Sequence, residues 1–319
     1  MKYKSPLFLS SCSPIGVDQQ VQEKPAMYHE ATSLEDKVKI LSLLDEKEVF
    51  RAMSFNILWQ NELNSDFCPC SWEKRKEQIA SMIRFHKADV IGLQEPFKQQ
   101  LDDLLALLPD YDCYGVGWED GEQKGPIDGI LFKKNRFAKK ATGHFFLSST
   151  PSVPSISWNA KFPRGVTWVE LEDKKTGKQF FVFNTHFDYH SKKARNESAR
   201  LLRTKIGEIA GDRSFIVTGD FNLFPEMGEE ETYKLLTKKQ GQEPSLTDAK
   251  NKAYFPHHGP TGTWSGFKEA GQPGVKPDYI FVSKKISVMT HGVLSDCFDG
   301  VFPSDHLPVV SDLFILEER

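Results

Sequence analysis

From position 49 onward, short apolar runs alternate with stretches whose apolar residues recur at helical spacing. Residues 49–59 read as a strand, rich in the aromatic and β-branched side chains that suit a pleated sheet. A helix is expected after Ser71, a residue type that favours the N-cap, with Trp72, Ile79, Ile83 and His86 on one face. Residues 89–95 form a short buried strand, and Leu101, Leu104, Leu105 and Leu108 mark the helix that follows. Strand-like runs then come closely at 111–118, 129–133, 144–147, 165–171 and 180–185. A longer helix spans 191–210, with Ala194, Leu201, Leu202, Ile206 and Ile209 inward. Strands at 215–218, 278–282 and 307–314 complete the pattern. No fixed-period repeat and no long linker interrupts 48–316, so the chain reads as one α/β domain over 47–319. Residues 1–46 are polar, mixed in charge and without sustained apolar periodicity, and read as a flexible leader.

Composition narrows the function classes. The 319 residues include 41 Lys plus Arg and 44 Asp plus Glu, a net charge of −3, which excludes a basic footprint over the whole surface but leaves room for a local basic cleft. No run of 18 apolar residues exists, so no transmembrane segment is expected. The five cysteines, Cys12, Cys68, Cys70, Cys113 and Cys297, are odd in number and scattered, a poor disulfide framework. Cys68-Pro69-Cys70 lacks a second pair at zinc spacing and reads as reduced cysteines in a loop. A monomer in the cytoplasm is expected. The Leu9-Ser10-Ser11-Cys12 run resembles a lipoprotein processing site and leaves export or lipid anchoring open, although the apolar stretch before it is short.

The chemistry-bearing residues sit where apolar strands run out. Phe181-Val182-Phe183 leads into Asn184-Thr185-His186, and Phe215-Ile216-Val217 leads into Thr218-Gly219-Asp220-Phe221-Asn222. Val90-Ile91-Gly92-Leu93 leads into Gln94-Glu95, and Ser304-Asp305-His306 precedes the last apolar run. If these strands share a core, their polar ends converge on one cleft. An oxygen-rich donor set of this kind suits magnesium or manganese better than zinc or copper. A zinc-protease helix, a phosphate loop ending in lysine and serine, and a serine-hydrolase elbow are all missing. Metal-assisted hydrolysis, most naturally of a phosphoester, is what remains.

Taken in order, the motifs Met53-Ser54-Phe55-Asn56-Ile57, Val90 to Glu95, Phe183 to His186, Thr218 to Asn222, Pro277-Asp278-Tyr279-Ile280-Phe281 and Ser304 to Val309 resemble those of the endonuclease/exonuclease/phosphatase superfamily. The resemblance covers about 48–316 and implies a four-layer α/β sandwich with two central mixed sheets covered by helices. A branch of the superfamily is suggested by Gly143-His144-Phe145-Phe146-Leu147-Ser148, by Trp158-Asn159-Ala160 with Arg164, and by Gly262-Thr263-Trp264-Ser265-Gly266-Phe267. That branch carries a histidine directly after Asn-Thr-His-Phe-Asp, where this chain has Tyr189 and then His190.

The resemblance also implies roles. Glu95 is the principal metal ligand, with Asn56 and Asp305 nearby, for Mg2+ or Mn2+ in its place. Asp220 orients or deprotonates the attacking water, and Asn222 positions the phosphate. His306 paired with Asp278 stabilises charge, His186 holds a non-bridging oxygen, and Arg164 is a cationic clamp. The basic runs Lys133, Lys134, Arg136, Lys139, Lys140 and Lys192, Lys193, Arg195, Arg200, Arg203, Lys205 grip a polyanion only if they border the cleft. The expected activity is hydrolysis of a compact phosphoester or a nucleic-acid strand end. A nuclease on extended DNA or RNA, a phosphoinositide or sphingomyelin esterase, and a silent phosphate-binding module are the alternatives left open.

Overall fold

The computed structural model describes residues 33, 35, 38, 48–60, 71–224, 230–238, 241, 243–268 and 270–316. The Cys68–Cys70 segment and, apart from three isolated positions, the expected leader lie outside the described residues. Twelve described strands pair into two six-stranded sheets. The first holds β1 (Phe50–Asn56), β2 (Val90–Gln94), β3 (Tyr111–Tyr114) and β4 (Gly129–Lys133). The second holds β5 (Phe137–Phe146), β6 (Gly165–Asp173), β7 (Gln179–His186), β8 (Phe215–Asp220), β9 (Thr247–Asp248) and β10 (Asp278–Val282). The chain then returns to the first sheet with β11 (Ile286–Val293) and β12 (Val309–Ile315), giving the orders β11-β12-β1-β2-β4-β3 and β5-β6-β7-β8-β10-β9. Both sheets are mixed: β1 with β2 and β7 with β8 run parallel, and the remaining named pairs run antiparallel.

Helices α1 (Trp72–Phe85) and α2 (Lys98–Leu107) cover the outer face of the first sheet, where Trp72, Ile79, Ile83, Leu101 and Leu104 pack on Met53, Phe55, Ile91 and Leu93. Helix α3 (Lys192–Ala210) lays Ala199, Leu202 and Ile206 on Phe181, Phe183, Phe215 and Val217 of the second sheet, with Leu235 and Leu236 of α4 (Glu230–Thr237) in the same cluster. A short α5 (Ala249–Lys252) follows β9. The result is the four-layer α/β sandwich that the motifs imply. Two local expectations differ. Ser71 occupies the N-cap of α1 without a side-chain cap bond, and His86 caps the other end and pairs with Asp296 at 2.8 Å instead of facing the core.

The strands are polarised along their length. Successive residues face opposite sides of a sheet, so the residues facing the other sheet are Phe50, Ala52, Ser54, Asn56 on β1 and Val90, Gly92, Gln94 on β2. On β7 they are Phe180, Val182, Asn184, His186; on β8, Ile216, Thr218, Asp220. At one end these positions build the core between the sheets, with Phe50, Val90, Phe180, Val182 and Ile216 all buried in one cluster. Each such side chain contributes ~1.5–3 kcal/mol by burial. At the other end the same rows are polar, and they bond both across the gap and along the second sheet. Gln94 Nε2 donates to Asn184 Oδ1 at 2.7 Å, Asn184 Nδ2 donates to the Leu93 carbonyl at 2.8 Å, and Thr218 Oγ1 donates to Asn184 Oδ1 at 3.0 Å. Gly92 makes room for this contact, since a Cβ there would lie 2.0 Å from Thr218 Oγ1 and 2.5 Å from Asn184 Oδ1.

Register then lines up the site. Asn56 pairs with Gln94, which puts Glu95 one residue past the end of β2. His186 and Asp278 both pair with Asp220 from opposite sides, making a row of three across β7, β8 and β10.

Candidate active site

At the polar end of the sandwich lies a cleft of about 540 Å³, lined by Glu95, Arg164, His186, Asp220, Asn222, Asp305 and His306 and walled by Trp59, Tyr189, Phe224 and Trp264. Asn56 and Asp278 are buried against these groups. Every candidate residue that the strand exits point to therefore meets at one place, contributed by both sheets. His190 does not join them; it is exposed, and Tyr189 faces the cleft in its stead.

Asp220 is the hub. Its Oδ2 lies 3.0 Å from Asn56 Nδ2, 3.2 Å from His186 Nε2 and 3.7 Å from His306 Nε2, while its Oδ1 accepts from the backbone N–H of Asn222 at 3.0 Å. Asn222 adopts a left-handed backbone, φ 48°, which turns its side chain back so that Nδ2 reaches His186 Nε2 and the Phe187 carbonyl, each at 3.0 Å. Glu95 is also left-handed, φ 76°. Non-glycine residues held there cost on the order of 1–3 kcal/mol each, which fits positions fixed for chemistry. Glu95 Oε1 accepts from Asn56 Nδ2 at 3.1 Å and Oε2 from the Trp59 backbone N–H at 3.2 Å.

Burial and the neighbouring Asp305 push the Glu95 carboxyl up to about 7, against the Asn56 hydrogen bond and His306. Burial and Asp278 likewise raise Asp220 above the usual carboxylate range, opposed by His306, Asn56 and Asn222. For His306, burial works against the charge. Asp278, bonded to Nδ1 at 2.8 Å, together with Asp220 and Asp305 outweighs it and holds the imidazolium well above the usual histidine range. Asp278 is itself fixed by the Thr263 hydroxyl at 2.6 Å. Burial, Arg164 and His306 push His186 well below the ordinary value, so it is neutral. One cationic histidine, one neutral histidine and carboxylates that ionise near neutrality are groups capable of both acid and base chemistry within one cleft.

Crowded carboxylates with raised pKa values are a fit for a divalent cation, which would relieve their repulsion. Among the described residues, the group of ligating atoms within 4.8 Å of one another is Asp220, Asp278 and His306. Two of these are already hydrogen-bonded to each other, so their closeness reports an ion pair first. Of the set expected to hold the metal, Glu95 and Asp305 line the cleft. Asn56 faces Glu95 and Asp220 with its NH2, its Oδ1 accepting from Leu58 N at 3.0 Å.

The basic runs are elsewhere. Lys133 pairs with Asp89, Arg136 with Asp89 and Asp173, Lys139 with Asp112 and Lys140 with Glu172, at the end of the sheets opposite Glu95 and His186. On α3, Arg195 donates to the carbonyls of Asp188 and Tyr189, and Arg203 to those of Pro244 and Leu235. Neither run lines the cleft.

Several contributors escaped the sequence reading. Arg75 on α1 is fully buried and donates to the carbonyls of Ile57 (2.6 Å), Leu58 (3.1 Å) and Pro303 (3.1 Å), tying the exit of β1 to the loop before Asp305. Burial lowers it to about 10 against the pull of Asp305 and Glu95. Its signal was the gap in the helical pattern: with Trp72, Ile79 and Ile83 inward, position 75 falls on the same face. Ser304 Oγ donates to the Asn56 carbonyl at 2.8 Å and so joins the same two segments.

A fold and site of this kind define a phosphoester-hydrolase class, and the comparisons agree. The family model described as Endonuclease/Exonuclease/phosphatase family matches residues 53–306. The chain belongs to this family, whose members are hydrolases acting on phosphoester bonds. It is similar to a solved family member from Bacteroides thetaiotaomicron, at TM-score 0.77 and 34% identity over 84% of this chain and 98% of that one. It is equally similar to the mannosyl-6-phosphatase of the same organism, at TM-score 0.77 and 34% identity over 83% of this chain and 100% of that one. A protein of Acanthamoeba polyphaga mimivirus is 30% identical over 159 residues, 47% of this chain and 59% of that protein. The chain spans about half the length of the curated mimivirus relatives it matches.

Proposed function

We propose that the protein is a divalent-cation-dependent phosphoesterase that removes phosphate from a compact, sugar-sized alcohol. The observation that carries this reading is the Asp220 carboxylate, with Asn56, His186 and His306 all within 3.7 Å of one oxygen, in a cleft that no basic run borders. A polyanion would need several more cations at the rim. The aromatic walls Trp59, Tyr189, Phe224 and Trp264 suit the flat, partly apolar face of a sugar ring. Similarity over the whole length of a mannosyl-6-phosphatase supports the same class.

Glu95 and Asp305, with Asn56 alongside, would hold Mg2+, with Mn2+ able to replace it; the ion would supply charge neutralisation at the phosphoryl group. Asp220 takes the proton from the attacking water, its raised pKa placing it near the working range of a base. Asn222 and neutral His186 hold phosphoryl oxygens. Cationic His306, fixed by Asp278, stabilises the charge that develops, and Arg164 adds a second cation. Donors of this kind are each worth ~3–4 kcal/mol in the transition state.

A substrate panel tests the class. Hexose phosphates, an aryl phosphodiester, short single strands and supercoiled plasmid are compared for catalytic efficiency at low and physiological salt. The reading expects the sugar phosphates to lead, with little salt dependence. Rapid plasmid nicking that collapses steeply with salt would contradict it.

A further inference from the structure

Beneath the cleft, Arg164 and His186 rest on residues to which the roles above give no part. Arg164 is only 3% exposed, yet its Nε and Nη1 have no hydrogen-bond partner among the described residues. Its guanidinium lies over the ring of Trp118, 4.2 Å from the centroid, with Phe162 5.8 Å away. Trp118 is itself 3% exposed, and its edge-on contact with the His186 ring has a centroid separation of 5.4 Å. The indole Nε1 donates to Asp128 Oδ2 at 3.0 Å, and Asp128 is 1% exposed with its Oδ1 unpartnered. Leaving guanidinium N–H groups buried and unpaired is costly. A flat cation whose edge is free while its face rests on an aromatic plane is set up to accept an anion edge-on.

We infer that Trp118 and Asp128 are positioning residues, a buried platform that seats Arg164 and His186 as a two-point cradle for phosphoryl oxygens. The chain of reasons is local. Trp118 lies in the segment between β3 and β4, where a bridge from Gly117 to Ile127 closes the loop and brings Asp128 under the indole. The indole hydrogen bond fixes the ring's rotation. That ring then sets the plane of Arg164 on one side and abuts His186 on the other. No stretch of sequence announces this, because Trp118 and Asp128 share the β3–β4 connection while Arg164 comes from the segment before β6. The inference rests on the reading of the cleft as a phosphoester site and adds how its cation is held.

The test uses the full chain with Mg2+ and inorganic phosphate as probe, read by calorimetry and by product inhibition. Trp118→Phe keeps an aromatic face but loses the anchoring N–H; Asp128→Asn keeps an oxygen to accept that N–H and replaces a carboxyl that burial raises well above the usual carboxylate range. The platform predicts that Trp118→Phe weakens phosphate at least about tenfold, as ~1.4 kcal/mol would, and that the half-saturating Mg2+ concentration is unchanged in both variants. It also predicts that guanidinium ion restores phosphate affinity to Arg164→Ala but not to Arg164→Ala combined with Trp118→Ala. A misfolded variant is recognised by its Mg2+ response, which a platform defect leaves intact. Phosphate binding unchanged in Trp118→Phe, or equal rescue of both alanine variants, overturns the platform alone. Failure of the wild-type protein to bind phosphate overturns both the platform and the reading of the cleft beneath which it sits.

Discussion

Asn56, at the end of one sheet, donates its Nδ2 to Asp220 Oδ2 at the end of the other across 3.0 Å, and no shorter polar link joins the cleft's two halves at that carboxylate. The same amide also serves Glu95, so a single neutral donor separates two buried carboxylates. Asn56→Asp places a third acid between them. In chelator the variant is expected to melt well below wild type at pH 8, with the gap shrinking as pH falls and the carboxylates protonate. Thermal scans at pH 5 and pH 8 check this; an equal gap at both would remove charge as the cause.

Glu95 makes a second electrostatic prediction. Its carboxyl is raised to about 7 from 4.5, so between these values the folded protein binds more protons than the unfolded chain. Stability of the metal-free protein therefore falls as pH rises from about 4.5 through 7. Glu95→Gln removes that loss. At pH 8 in chelator it is expected to be more stable than wild type, by up to about 3 kcal/mol, and to lose this advantage near pH 5. Mg2+ should stabilise wild type and leave the variant unmoved. Denaturant melts with and without the ion decide it.

Gly92 supports a packing prediction. Gly92→Ala drives a methyl into Thr218 and Asn184, where Asn184 ties the sheets by hydrogen bonds to Gln94 and Leu93 rather than by loose apolar contact. Overpacking of this kind costs ~1–3 kcal/mol, and here it also breaks polar partners. A lowered urea midpoint with an unchanged m-value is the expected outcome.

Much of the site was legible before the fold was known. Glu95, His186, Asp220 and Asp305 each follow or precede an apolar run, so position relative to a strand end was enough to single them out. The rule that inward rows change from apolar to polar along each strand explains why: the same alternation that builds the core carries the polar groups of the cleft at its far end. Strand limits were less legible. Residues 115–118 leave the sheet after Tyr114, and β5 runs back to Phe137 through Lys139 and Lys140, whose charges mask it. β11 went unseen because Ser287, Thr290 and His291 interrupt its apolar residues, although it pairs with β12 along its length. Arg75, Trp118 and Asp128 act through contacts at large sequence separation, and a buried arginine or aspartate looks like any surface charge until its partners are in place. The basic runs, expected to grip a polyanion only if they border the cleft, do not line it, and the acidic partners that hold the first run come from other parts of the chain.

The most direct test of the central claim is the rate of inorganic phosphate release from a hexose phosphate as Mg2+ is titrated, for wild type, Asp220→Asn and His306→Ala, with folding checked by melting temperature. Asp220 and His306 sit at strand ends over the cleft, so their loss should leave the sandwich folded. The account predicts saturable dependence on Mg2+, no turnover in chelator, and a fall of about 10³-fold or more in each variant. Undiminished turnover in chelator, or in a well-folded Asp220→Asn protein, would contradict it.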